Sequence, residues 1–579
     1  MTHLHCLRSF RNIIGLQDVN RMSPHLLIYS TLFILPMLPS HLDLLSSNVA
    51  LHPDAPAFKV PIMSVTDDGV SEWYTITYQQ FQSDVDKAAA YWSQELLKDG
   101  VCKRSIVGLW FGGMTYMDVV HIYGVSKAGY IPQLFSLRLP EPSIIYELLM
   151  KAGAKALIVD QALAATPSNS PVPAHTAVHL SKLQFDLDPE SWEPCLIPEV
   201  ALDDTVFIFH TSGSTSGSPK LVHCNQKWLR SMASKAKQVF APRSSRPSAD
   251  VFTWGGSMCH IAQNFAFLGY FQHNACVVQP TVLAFPSEEL VDMITRCGLN
   301  RLNQFATYLT IHLKNSRRDP KLLSLLAQLD EILYTGLPLN RDEEAWAYQN
   351  NLNLRNVFGN TECGAMLLSV GRGHPTPWLL RPLEKTSYGF VPIEGEATSS
   401  ETNHSSSTRM LELVIFADSE DCPAASLCQA DGHFHTGDLF NEVSPGLYIS
   451  RGRNDDWIKS ENSLRCDTKA IEDNVRAMCG DLVGDCIVVG SGRPSPVLFV
   501  EPATDGMDEE KLKKTIIRKT RAFHVRRYLH ERITSTKMIV VVAPRQLPRT
   551  ATKGNIRRKL VEDLYKDELD RIFGVKAGL

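Results

Sequence analysis

Apolar and polar positions along this chain follow two rhythms. Phe81 to Leu97 sets apolar residues at helical spacing, whereas Ser105 to Phe111 (SIVGLWF) is a short and almost unbroken apolar run. Runs of that kind between helices mark strands buried on both faces. Val119 to Ala128, Ala154 to Val159 and Thr205 to Phe209 continue the alternation, so the pattern predicts an α/β protein with a large N-terminal body of layered α/β sheets. Glu396 to Thr408 (EATSSETNHSSST) holds almost nothing that can enter a core and reads as a solvated loop between strands. Beyond Gly452 the rhythm changes. Strand candidates Cys486 to Gly490 and Pro496 to Glu501 mix with helix-like runs Asp508 to Phe523 and Asn555 to Phe573, which predicts a separate, small α+β domain.

At 579 residues the chain is far too long for a small binding module, and 44% hydrophobic residues suffice for a large core. A net charge of −4 gives no global drive toward nucleic acid or anionic membrane, so neither is an expected partner. The 13 cysteines lack a CxxC pair or a zinc-like Cys/His spacing and read as free thiols of a reducing compartment. The apolar run Leu26 to Leu38 is interrupted by Ser30, Thr31 and Pro36 and is shorter than the ~20 residues of a membrane-crossing helix. No membrane span is expected. Arg8, Arg11 and Arg21 imitate the start of a signal peptide, but that charged region is too long and no small-residue cleavage pattern follows. The terminal Ala577-Gly578-Leu579 lacks the basic middle residue of a peroxisomal address, so a cytoplasmic location is expected over a peroxisomal one.

The richest chemistry lies in Val206-Phe207-Ile208-Phe209-His210-Thr211-Ser212-Gly213-Ser214-Thr215-Ser216-Gly217-Ser218-Pro219-Lys220. A buried strand runs into a loop in which six of ten residues are Ser or Thr, two are Gly, and a Lys closes it. Glycines admit backbone N–H groups, hydroxyls donate hydrogen bonds and the lysine adds positive charge, which together suit a polyphosphate. It is not a Walker loop, because Lys220 follows Pro219 and no Ser or Thr follows it. The same composition also fits a flexible Ser/Gly connector.

Thr211 to Lys220 resembles the TSGSTGxPK signature of the adenylate-forming superfamily: acyl-CoA synthetases, firefly luciferase and the adenylation domains of nonribosomal peptide synthetases. Further stretches match in the family's order: Thr335-Gly336-Leu337-Pro338-Leu339, Phe358-Gly359-Asn360-Thr361-Glu362, His435-Thr436-Gly437-Asp438, Arg451-Gly452-Arg453-Asn454-Asp455-Asp456 and Pro548-Arg549-Thr550-Ala551-Thr552-Lys553. In texture, at Asp456-Trp457-Ile458-Lys459 and Ser463 to Thr468, the chain is most similar to fungal adenylate-forming enzymes akin to the first domain of peptide-synthetase-like reductases.

The resemblance implies ATP-dependent adenylation of a carboxylic acid with release of pyrophosphate, followed by thioester formation with CoA. It implies residues 1–37 as an extension of open role, 38–452 as the large adenylation domain and 453–579 as a small, mobile C-terminal domain. Thr211, Ser212, Ser214, Thr215 and Lys220, with Gly213 and Gly217, would hold the β- and γ-phosphates of ATP. Glu362 matches the Mg2+-binding acid and Thr361 the contact to the α-phosphate. Phe358, with Gly359 beside it, would stack on adenine, while Gly336 and Leu337 line its other face. Asp438 matches the acid that accepts from both ribose hydroxyls, and Arg453 adds a cationic donor.

Lys553 matches the cation that bridges carboxylate and phosphate, although Lys553-Gly554 inverts the family's usual Gly-Lys order. Asp455 matches the hinge on which the small domain turns, and Lys459 the residue that faces the cleft during thiol transfer. Where the family usually has Gly shortly after that lysine, this chain has Ser460-Glu461-Asn462. Thr253 stands where amino-acid-selecting domains carry an Asp, so an acid without an α-amino group is favoured. His260 aligns with a histidine at the carboxylate end of the acyl pocket, and equally fits a core histidine. Phe265 and Tyr308 are candidate pocket walls. Two alternatives accompany the CoA ligase: loading of carrier-bound phosphopantetheine on a separate protein, and a nucleotide-binding homologue of weak turnover.

Overall fold

The computed structural model describes residues 40–64, 69–137, 139, 141–165, 169–183, 200–211, 220–243, 248–336, 338–339, 341–392, 411–453, 458–462, 464–549 and 556–574. The apolar run Leu26 to Leu38 and the polar stretch Glu396 to Thr408 lie outside the described residues.

Two sheets build the large body. One has six strands in the order 174–176, 156–159, 106–111, 131–136, 205–211 and 220–225. All of its pairings are parallel except the last, in which Thr205–Thr211 meets Lys220–Asn225 antiparallel with Thr211 opposite Lys220. The second sheet has 13 strands. At its centre Val251–Thr253, Arg301–Phe305, Glu331–Thr335 and Leu354–Asn360 run parallel, and beyond them an antiparallel arm continues through Gly364–Ser369 to Phe434–Ser444 and Leu447–Arg453. A core that includes Phe58, Phe81, Trp92, Phe111, Trp254 and Phe271 fills the space among strands and helices.

Helix Tyr78–Lys98 starts where Thr77 accepts the N–H of Gln80, and buries Phe81, Val85, Ala88, Ala89 and Trp92 along one stripe. That stripe has the spacing of an amphipathic helix. Val119 to Ala128 is helix too, Tyr116–Lys127, with a Thr115–Asp118 capping box. It is buried on nearly every side, so its apolar run carries no helical period to set it apart from a buried strand. Ala156–Val159 and Thr205–Thr211 are strands, as their apolar runs predict.

The chain's C-terminal part has its own sheet, Val483–Val489, Val497–Pro502 and Ile539–Val541, with helices Thr468–Cys479 and Glu509–Val525 packed on it. The predicted run Asn555 to Phe573 divides at Tyr565 into Arg558–Leu564 and Lys566–Ile572. This smaller domain docks through Tyr528, which is buried among Trp110, Phe135 and Ile144 of the large body, and through an Arg526–Glu147 ion pair. No described helix is long and apolar enough to cross a membrane.

Candidate active site

A cavity of about 410 Å³ opens where the two sheets and the small domain meet. The large body contributes Thr211 and Lys220, which flank the Ser/Thr-rich segment and stand opposite each other in antiparallel register. Gly336, Gly359, Asn360, Thr361 and Glu362 line it from the ends of strands Glu331–Thr335 and Leu354–Asn360. Loops at the carboxyl ends of parallel strands are where α/β sheets present ligand-binding groups.

The Thr361-Glu362 turn is held from several sides. Asn360 accepts the backbone N–H of Cys363 at 2.8 Å, and the Trp228 indole donates to the carbonyl of Glu362 at 2.8 Å. A side chain at Gly359 would come within 2.3 Å of the Gly364 carbonyl, so only glycine permits this close turn. Below it Lys235 donates to the Cys363 carbonyl at 2.6 Å and pairs with Asp421 at 2.7 Å, both side chains being buried. Burial pushes the Asp421 carboxyl up, but Lys235 and the hydroxyls of Ser419 and Tyr388 outweigh it and hold it below the usual range. With its backbone fixed in this way, Glu362 lines the cavity with its carboxylate engaged in no ion pair among the described residues. A hard carboxylate in a cavity that Thr361, Thr211 and Lys220 also line fits a magnesium ion.

His210, just before the loop, is half-buried and stacked on Phe135 at 4.4 Å. Its Nδ1 lies 2.9 Å from the Leu134 carbonyl and its Nε2 3.1 Å from the Gln133 amide nitrogen. A proton on Nδ1 satisfies both contacts, and burial pushes the ring down to about 4, so it is neutral. On the facing arm His435 contacts Glu412 at 3.2 Å and Asp431 at 3.0 Å. Burial lowers its pKa, yet hydrogen bonds to the two carboxylates prevail and raise it.

From the small domain come Lys459, Asn462, Leu464, Tyr528 and His530. Lys459 donates to the Gly336 carbonyl at 2.6 Å and stands 6.0 Å from the centre of the Phe358 ring. Gly336 has φ +91°, a left-handed turn that glycine adopts at little cost. No described residue of the stretch around Lys553 lines the cavity. Arg549 is tied instead to Asp485 at 2.8 Å and Glu501 at 2.5 Å within the small domain.

Of the residues that the sequence suggested, Thr211, Lys220, His260, Phe265, Gly336, Gly359, Thr361, Glu362 and Lys459 therefore share one cavity. Phe358 and Asp438 are not among its lining residues: Phe358 packs edge-on against Phe440 at 5.1 Å, and the backbone N–H of buried Asp438 donates to the Thr436 hydroxyl at 3.0 Å. Arg453 stands opposite Asp438 in strand register. Ser212, Gly213, Ser214, Thr215, Gly217, Leu337, Asp455 and Lys553 lie outside the described residues. Two expectations need correction. Tyr308 is buried on helix Ala306–Ser316 and is absent from the lining. Thr253 points into the sheet, where its hydroxyl bridges the backbone N–H and carbonyl of Asn303, each at 2.8 Å. His210, Gln263, Gln304, Tyr528 and His530 line the cavity without a local signal that would have found them.

Residues 45–393 match the family described as AMP-binding enzyme, and residues 455–576 match its C-terminal domain. The chain belongs to the AMP-binding enzyme family, whose members form adenylates. Among curated relatives, this AMP-binding enzyme is 35% identical over 518 residues to the AMP-binding domain-containing enzyme iboA of Amanita muscaria, covering 88% of this chain and 98% of that one. It is 23% identical over 540 residues to the adenylate-forming reductase Nps10 of Heterobasidion annosum, with 86% of this chain covered but 47% of that longer protein. Its fold is shared, at 16% identity and a TM-score of 0.64, with the o-succinylbenzoate CoA synthetase of Bacillus subtilis bound with its product analogue, over 90% of this chain and 98% of that one. The same TM-score of 0.64 and 16% identity relate it to a nonribosomal peptide synthetase protein of adenylation and PCP domains bound to a vinylsulfonamide inhibitor, over 91% and 84% of the two chains.

Proposed function

We propose that this protein joins a carboxylic acid without an α-amino group to the α-phosphorus of ATP, releases pyrophosphate, and then transfers the acyl group from the adenylate to the thiol of CoA. The observation that carries the reading is the meeting of Thr211, Lys220, Thr361 and Glu362 from the large body with Lys459 from the small domain around one cavity. Nucleotidyl transfer needs chiefly positioning and neutralisation of charge. Thr211 and Lys220, with Ser212, Ser214 and Thr215 of the intervening loop, hold the β- and γ-phosphates. Thr361 orients the α-phosphate, and Glu362 holds magnesium, which when bound offsets triphosphate charge. Asp438 and Arg453 receive the ribose, and Phe358 with Gly336 and Leu337 the adenine.

Lys553 supplies the cation for adenylation, and Lys459 takes its place at the cavity once the small domain has turned about Asp455. The domain division at 452/453 belongs to the same reading. Glu362 is the one carboxylate among the described lining residues, which leaves a substrate ammonium without a counter-charge of its own. The test is pyrophosphate release over a panel of acids, followed by addition of CoA or of a carrier protein bearing phosphopantetheine. Background release with every acid overturns adenylation; thioester formed with the carrier but not with CoA moves the acceptor to the carrier.

One observation favours a second reading, in which adenylation is fast and pantetheine transfer slow. Asn462 lines the cavity close after Lys459, where the resemblance expects glycine. An accumulated, enzyme-bound adenylate that survives addition of either thiol would support it.

A further inference from the structure

We propose that the activated acid carries, besides its carboxylate, a neutral hydrogen-bonding group, a hydroxyl or a carboxamide, and that Gln263 and Gln304 read that group. The inference rests on the adenylation reading and narrows its substrate class.

Gln263 lies on helix Ile261–Gln272 and Gln304 on strand Arg301–Phe305, with exposures of 2% and 1%. Both line the cavity beside Phe240, Phe265, Phe305 and Leu333. The Nε2 of Gln263 and both amide atoms of Gln304 are buried without a hydrogen-bond partner among the described residues. Buried side-chain amides are ordinarily satisfied, because losing water without a replacement partner is costly.

The same neighbourhood does satisfy other polar groups. Asn303, next to Gln304, donates to the Tyr270 hydroxyl at 2.8 Å, and Thr253 donates to the Asn303 carbonyl at 2.8 Å. Unlike their satisfied neighbours Asn303 and Thr253, these two amides line the cavity with open valences, with Phe240, Phe265, Phe305 and Leu333 also in its lining. Their unused valences are N–H donors on two elements and one carbonyl acceptor on Gln304. A hydroxyl or a carboxamide accepts from the donors and returns a proton to the acceptor; a methyl end satisfies neither. For a carboxylate end, Lys459 is committed to the Gly336 carbonyl, His435 to Glu412 and Asp431, and Lys220 stands at the loop's base.

The experiment measures pyrophosphate release by the full chain with length-matched acids that end in methyl, hydroxyl, carboxamide or carboxylate. Hydroxyl- or carboxamide-ended acids are expected to exceed their methyl-ended partners in kcat/KM by at least ~10²-fold, because a site built for a hydrogen bond rejects the analogue that cannot make it. Gln304→Leu and, separately, Gln263→Leu are expected to shrink that ratio at least ~10-fold while the KM for ATP is unchanged, which shows that each variant is folded. Equal or better turnover of methyl- or carboxylate-ended acids overturns the assignment and leaves adenylation standing. Absence of release with every acid removes adenylation itself, and this proposal with it.

Discussion

Lys459 and Gly336 lie 123 residues apart in sequence, yet the ammonium of one donates to the carbonyl of the other at 2.6 Å. The contact ties the small domain's two-stranded hairpin, Ile458–Lys459 with Arg465–Cys466, to the edge of the cavity. It fixes which face of the small domain the cavity sees.

Lys459→Ala is expected to slow acyl transfer to a thiol by about 10- to 100-fold, the worth of one hydrogen bond from a charged group. Adenylation, which in the proposed reading uses the other face, should keep its rate within about threefold. Single-turnover transfer from preformed acyl-adenylate, compared with pyrophosphate release, separates the two steps. Equal loss in both would show that the contact does not distinguish the arrangements.

Glu362→Gln retains the volume and the backbone supports from Trp228 and Asn360 but removes the charge. Pyrophosphate release is expected to fall about 10²–10³-fold, with a higher magnesium requirement and an unchanged unfolding midpoint. A magnesium titration of the variant checks this. An unaltered requirement would take Glu362 out of the metal's coordination.

The Lys235–Asp421 pair is buried on both sides. Lys235→Met should destabilise the protein by about 3–5 kcal/mol, since it leaves a carboxylate buried without its cation. Lys235→Met with Asp421→Leu should recover much of that loss in urea unfolding. Because the folded pKa of Asp421 is depressed, the pair's contribution is present above the unfolded value of 3.8 and is lost as pH falls through the lower folded one.

A broader pH effect comes from imidazoles shielded from water. Burial lowers His41, His121, His210 and His312 to about 4, and burial with Arg527 and Arg532 nearby lowers His524 to about 3. His121 accepts the Trp92 indole N–H at 2.9 Å and meets the Val178 carbonyl at 2.9 Å through its other nitrogen, so a second ring proton would face a donor. Each of these rings binds protons more readily unfolded than folded. Stability is therefore expected to be full above pH 6.5 and to fall from there toward pH 4, by about 1.4 kcal/mol per pH unit for each proton taken up. Urea midpoints at pH 7, 6 and 5 measure the slope, and His121→Asn should remove one proton from it. A flat profile would mean that these rings are protonated without loss of structure.

That Thr211, Lys220, Thr361, Glu362, His435 and Thr436 belong to one cavity was legible in the chain, because each stands in a contiguous segment of marked residue types. Strand runs such as Thr205 to Phe209 were legible because burial on both faces leaves a continuous apolar signature. Val119 to Ala128 was not distinctive, since a helix buried all round loses the polar stripe that gives its period away. Contacts between remote segments lie beyond such reading. That Thr253 turns into the sheet, that Gln263 and Gln304 line one cavity, that Lys235 finds Asp421, and that Tyr528 and His530 arrive with Lys459 all follow from strand register and from how the small domain docks. The sequence by itself determined the family, the order of the motifs and the nucleotide chemistry they imply. Only the tertiary structure decided which polar groups are left open in the cavity lining and which face of the small domain meets the cavity, because packing between distant surfaces is chosen by the shape of the whole core and not by any one segment.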